Sequence, residues 1–134
     1  MIKRKIGTPL LVLAVFFAGT LAFAQEEAKK SGSGRVLVEV KYLNPGESNP
    51  SFEVKMYSQV INLRWYDLSD LAQLKDDRGV TYAAGKWESS VVSKTDHYGV
   101  LSFSGVDLND RKAITLGIRG VGRADERVFT WQLK

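Results

Sequence analysis

Residues 35–59, RVLVEVKYLNPGESNPSFEVKMYSQ, contain two stretches in which apolar and polar residues alternate. Such alternation is typical of a strand that buries one face. The stretches are separated by NPGESNP (44–50), a cluster of turn-forming residues that interrupts the pattern. The segment therefore predicts two antiparallel strands. The predicted inward residues are Val36, Val38, Val40 and Tyr42 in the first strand and Phe52, Val54 and Met56 in the second.

A second pair of strands is predicted around residues 71–84. LAQL and VTYAA are short apolar segments joined by KDDRG. In that connection Asp76 or Asp77 would start a turn, and Gly79 would take the positive φ angle that turns often need. The segment therefore predicts a short hairpin.

The remaining pattern decides the fold class. Further strands are predicted over GVLSFSG (99–105), AITLGIR (113–119) and RVFTWQL (127–133), and no later segment predicts an amphipathic helix of about ten residues. About seven short strands in about 100 residues predict a single antiparallel β-sandwich of immunoglobulin-like type. A small β-barrel is the alternative.

The first 34 residues predict export and a tether. MIKRKIGTPLLVLAVFFAGTLAFAQ has a cationic start, an apolar run and small residues at Ala22 and Ala24, so residues 1–24 are predicted to be a signal peptide cleaved before Gln25. An uncleaved anchor is the alternative, because the uncharged part approaches the length of a spanning helix. Residues 25–34, QEEAKKSGSG, predict a flexible polar linker to a domain over 35–134. The product would be periplasmic or secreted, with no membrane span after cleavage.

Charge and cysteine content exclude several functions. Three of the 19 basic residues lie in the predicted leader, which leaves 16 against 15 acidic residues. A nearly neutral product has no long-range field to attract nucleic acid, so no nucleic-acid partner is expected. Cysteine is absent, which rules out disulfides, thiolate metal sites and cysteine nucleophiles.

An acidic stretch, WYDLSDLAQLKDDRG (65–79), raises the question of a cation site. Its spacing does not fit the calcium loop of a helix-loop-helix site. The structural interpretation is one helical turn that Asp67 caps, with the leucines beneath the sandwich. The functional interpretation is an irregular metal site. Its candidate ligands are Asp67, Asp70, Asp76, Asp77 and His97.

Aromatic and histidine side chains supply the other candidates. Trp65 and Tyr66 are neighbours, so one is expected in the core and the other at the surface, where it could bind a partner. His97, in SKTDHYGVL (93–101), is the only histidine and is predicted to lie in a polar loop ahead of a strand. A hydrolase would need Asp96 and His97 to converge with a nucleophile. No catalytic residue and no cofactor is predicted from this pattern.

Several pieces of the chain resemble an uncharacterised family of small exported bacterial immunoglobulin-like β-sandwich domains. The matching pieces are YLNP (42–45), FEV (52–54), YDLSDLAQLKDDRG (66–79), Trp87-Glu88, GVLSF (99–103) and ERVFTW (126–131). The resemblance implies fold and export but no activity. Members carry a histidine in the segment corresponding to YSQVINL (57–63) and a His-His pair near KTDHYG (94–99), which implies a metal site. Gln59 and a single His97 depart from that trio.

Two functions follow as hypotheses. The first is a non-enzymatic binding or assembly module of the periplasm or cell surface, which contacts an envelope protein or peptide through a sheet face or an edge strand. The second is a periplasmic metal-handling protein that uses the acidic loop. A small hydrolase is a third possibility that the sequence supports least.

Overall fold

The computed structural model describes residues 28–133, so the predicted signal peptide and its cleavage site lie outside the described residues. Within residues 28–133 there are nine strands, one α-helical turn and one short 3-10 turn at Ser33–Arg35. In chain order the strands and the α-helical turn are β1 (Lys29–Ser31), β2 (Leu37–Tyr42), β3 (Ser51–Tyr57), α1 (Leu68–Leu71), β4 (Ala72–Asp76), β5 (Thr81–Ala83), β6 (Lys86–Val92), β7 (Asp96–Ser102), β8 (Ala113–Arg119) and β9 (Glu126–Gln132). Of these described elements, none is a helix with the length and apolar content to cross a bilayer.

The strands form two antiparallel sheets that pack as a sandwich. The first sheet has the order β1-β2-β3-β7-β6, and the second has the order β5-β4-β8-β9. Strands β2, β3, β7 and β6 thus correspond to A, B, E and D of an immunoglobulin constant-type sandwich, and β4, β8 and β9 correspond to C, F and G. The sheets remain separate, so the fold is the predicted sandwich rather than the barrel alternative.

The core lies between the sheets and is formed by the predicted alternating residues. Every inward residue predicted for β2 and β3 is buried. Phe52 of the first sheet packs against Trp131 of the second, with 5.1 Å between ring centroids, and against Tyr42 at 4.8 Å. Large aromatic side chains bury much apolar area, so the contact between Phe52 and Trp131 helps to hold the two sheets together.

Two strands were not predicted. Lys29–Ser31 lie in the predicted flexible linker but pair with β2 as strand β1. Strand β6 is an edge strand whose residues are almost all exposed, so its sequence KWESSVV shows no apolar alternation. Both strands are held by backbone hydrogen bonds to a neighbouring strand, and their mostly exposed side chains show no apolar alternation from which a strand could be predicted.

Candidate functional site

The acidic stretch is used in local structure. Asp67 is the N-cap of α1, and its carboxylate accepts hydrogen bonds from the Ser69 amide at 3.0 Å and the Ser69 hydroxyl at 2.6 Å. These bonds lower the pKa of Asp67. Leu68 is fully buried beneath the turn, while Asp70 is exposed. The predicted capped helical turn is therefore confirmed.

Asp76 organises the turn between β4 and β5. One carboxylate oxygen accepts from the Arg78 and Val80 amides at 2.9 and 3.1 Å, and the other accepts from the Arg78 guanidinium and the Tyr82 hydroxyl at 3.0 and 3.2 Å. Burial alone would raise the pKa of Asp76, but these donors outweigh it and lower the pKa to about 2. Gly79 has the predicted positive φ angle, +86°.

Asp77 ties the same turn to the segment before β8. Its carboxylate contacts the Arg111 guanidinium at 3.4 Å and the Lys112 amide at 3.3 Å. Within the described part of the chain, no three His, Cys, Asp or Glu side chains are grouped so that they could hold a metal ion. The candidate ligands in residues 67–77 are therefore found in turns and caps.

The buried charge of Asp76 makes stability depend on pH. Its pKa is lowered from 3.8 to about 2 on folding, so the carboxylate stabilises the fold fully above pH about 4 and loses this effect as the pH falls toward 2. At about 1.4 kcal/mol per pKa unit, the contribution is about 2 kcal/mol. Asp76→Asn should lower the free energy of unfolding in urea by about this amount near neutral pH. The difference in free energy of unfolding between Asp76→Asn and the unmodified chain should become small near pH 2. A difference that stays constant with pH would contradict this role for the Asp76 carboxylate.

The sequence predicts His97 in a loop, and this prediction is wrong. His97 lies in strand β7 and is only 2% exposed. It shares the inner face with Gly99 and Leu101. Its Nδ1 is 2.8 Å from the Leu63 carbonyl oxygen, and its Nε2 is 2.8 Å from the Ser89 hydroxyl. The polar neighbours of His97 in the sequence concealed this burial, because they point outward on the same strand.

The contact to Leu63 fixes the β3–α1 loop, residues 58–67. Leu63 is fully buried, and its amide donates to the Lys94 carbonyl at 2.9 Å. At the start of the loop, the Ser58 hydroxyl donates to the Arg35 carbonyl and accepts from two loop amides. Near its end, the Gly122 amide donates to the Tyr66 hydroxyl at 3.0 Å. The loop is thus held at its beginning, middle and end.

This fixed loop presents Trp65 to solvent. The Trp65 side chain is 78% exposed, the largest exposed fraction among the large apolar side chains of the described residues, and Val60 on the same loop is 62% exposed. Tyr66 is half-buried and packs against the core. One of the two adjacent aromatics, Trp65, is at the surface as expected, whereas Tyr66 is half-buried against the core rather than within it, and both lie in a loop.

The loop lies at the end of the sandwich where several connections meet. The β6–β7 turn, residues 93–95, bonds to Ser58 and Leu63, and the β8–β9 connection bonds to Tyr66 through Gly122. By strand order, the β3–α1 and β8–β9 connections correspond to the B–C and F–G loops of an immunoglobulin-like sandwich. Comparison of the chain with protein-family models, curated proteins and solved structures found no match.

Proposed function

We propose that the domain is an exported binding or assembly module of the periplasm or cell surface, and that it contacts an envelope protein or peptide through Trp65. The observation that carries this proposal is a large aromatic side chain, 78% exposed, on a loop fixed by buried neighbours. Tryptophan is enriched among the few residues that supply most of the energy of protein interfaces.

The fixed loop lowers the entropic cost of binding. A contact residue on a mobile loop must lose backbone freedom when a partner binds, which reduces affinity. Trp65 lies between Leu63, held by Lys94 and His97, and Tyr66, held by Gly122. The backbone that carries the indole is therefore held in place, and the partner would supply an apolar pocket for the indole.

The surroundings of Trp65 indicate the form of the contact. Val60 adds exposed apolar area on the same loop, and Arg64 and Lys94 are exposed beside Leu63. An apolar centre with a charged rim is the usual anatomy of a protein interface. The two cations would affect mainly the rate of association, whereas Trp65 would set the lifetime of the complex.

Replacing Trp65 with alanine should abolish partner recovery without loss of stability. Truncating a central interface tryptophan typically costs at least 2 kcal/mol, which is about a 30-fold loss of affinity. The measurement is crosslinking in intact cells that produce the tagged full chain, followed by affinity purification. Trp65 lies on the surface, so the thermal midpoint should stay unchanged.

Val128→Ala is the matched control, because Val128 is an exposed apolar residue, 58% exposed, that lies on strand β9 and not on the loop. It should leave partner recovery unchanged. Equal recovery with Trp65→Ala and the unmodified chain would refute the role of Trp65. Recovery of the chain alone under several growth conditions would refute the binding function itself.

A further inference from the structure

Ser89 and His97 form a hydrogen-bonded pair whose proton positions follow from its neighbours. A backbone carbonyl oxygen can only accept, so the Leu63 carbonyl at 2.8 Å requires a proton on His97 Nδ1. In the neutral ring Nε2 then carries a lone pair. The Ser89 hydroxyl, 2.8 Å away, donates its proton to that lone pair. This is the arrangement of a serine nucleophile, a general base and a group that orients the base.

The two side chains differ in exposure as such a pair requires. Ser89 is exposed on the edge strand β6, whereas His97 is buried on β7. The cross-strand partner of Ser89 is Gly99, and the Trp87 ring and the β6 backbone fill the space over that glycine. The Trp87 ring packs 5.5 Å from the His97 ring and covers it on the β6 side. The base is thus shielded, and the exposed side of Ser89 is the direction from which a reagent would approach the serine oxygen.

The backbone beside Ser89 is irregular. The register between β6 and β7 shifts between Ser89 and Val91, so Ser90 has no cross-strand partner. A bulge of this kind bends the strand and redirects side chains, and bulges are over-represented at sheet edges and next to active sites. The bulge follows directly after the serine whose hydroxyl points to the histidine.

We propose that Ser89 is a nucleophile, activated by His97, that accepts an acyl group from activated esters. The Ser89 oxygen attacks the ester carbonyl and forms a new C–O bond while its proton passes to His97 Nε2. The bond from the carbonyl carbon to the leaving oxygen then breaks, and that oxygen takes the proton from Nε2. The products are the Ser89 ester and a free alcohol or phenol. This inference does not depend on partner binding by Trp65.

The test uses the full chain with p-nitrophenyl acetate as the probe. We expect release of p-nitrophenol together with addition of one acetyl group, located at Ser89 by mass spectrometry of the digested protein. Ser89→Ala should abolish acetylation at this site. His97→Gln should slow it by about 100-fold or more, the usual contribution of a general base. Ser90→Ala is the matched control and should react at the unmodified rate, because its hydroxyl contacts the Tyr98 carbonyl rather than His97.

A purely structural hydrogen bond would give other results. If Ser89 is not acetylated, or if His97→Gln acetylates Ser89 at the unmodified rate, the proposal is overturned. Circular dichroism of each variant establishes that the sandwich is intact. If the His97→Gln variant does not fold, acetylation of Ser89 is compared with acetylation of the other exposed serines in the unmodified chain. Selective acetylation of Ser89 supports its activation by His97, and equal acetylation of all exposed serines refutes it.

Discussion

Replacing Arg127 with alanine should lower the free energy of unfolding by about 3 kcal/mol, because the change leaves several buried acceptors without a donor. Arg127 is 2% exposed on the inner side of β9. Its guanidinium donates to the carbonyls of Ser31, Ser33 and Val121 and to the Ser31 hydroxyl. Burial lowers its pKa, but an arginine remains charged in proteins, so these oxygens must replace its water.

The loss of stability caused by Arg127→Ala should be largest in the first residues of the described chain. Two of the carbonyls that Arg127 contacts belong to the segment from β1 to the turn at Ser33–Arg35. Amide hydrogen exchange of residues 29–35 should therefore accelerate more than exchange in β3 or β8. Arg119→Ala is the control, since Arg119 is exposed on the neighbouring strand. A uniform change in exchange across the domain would contradict this role for Arg127.

Replacing Gly122 with alanine should cost about 2 to 5 kcal/mol for two separate reasons. Gly122 has a φ angle of +69°, which costs a residue with a Cβ about 1 to 2 kcal/mol. A Cβ there would also clash with the Gly34 carbonyl oxygen and approach Val36 Cγ2 to 2.9 Å. Overpacking against a fixed backbone costs a further 1 to 3 kcal/mol, roughly.

Gly105→Ala separates these two contributions. Gly105 has nearly the same φ angle, +71°, but a Cβ there would meet no atom within 4 Å. Gly105→Ala should therefore lose only the conformational part, about 1 to 2 kcal/mol. The measurement is urea unfolding of both variants under identical conditions. Equal losses for Gly105→Ala and Gly122→Ala would show that the contact between the Ser33–Arg35 turn and the β8–β9 connection contributes nothing.

The sequence predicts those strands in which one face is buried, because their apolar and polar residues then alternate. The predicted inward residues of β2 and β3 and the predicted turn at Asp76 agree with the structure. Arg127 and His97 have the same parity as the inward residues of β9 and β7, but a charged or polar residue at an inward position is rare unless it is paired. Their acceptors include the Ser33 carbonyl, 94 residues from Arg127, and the Leu63 carbonyl, 34 residues from His97. Such distant contacts are not visible in a local pattern.

The candidate sites likewise divide into those set by local hydrogen bonds, which the sequence predicts, and those set by distant contacts, which it does not. Local hydrogen bonds determine the positions of Asp67 and Asp76, so turn chemistry predicts their roles. The contact between Ser89 and His97 depends on the pairing of an edge strand across a bulge, and no side-chain period signals it. The exposure of Trp65 depends on the three-dimensional path of a loop. From the sequence we could predict only that one of Trp65 and Tyr66 is exposed.

Site-specific photo-crosslinking in intact cells tests the central claim most directly, namely that Trp65 is the contact with a partner. A photoreactive phenylalanine analogue replaces Trp65 in one chain and Val128 in another, and the products are separated by mass. We predict a recurrent crosslinked protein or peptide from position 65 and none from position 128. The account is contradicted if position 65 gives no product, or if both positions give the same products.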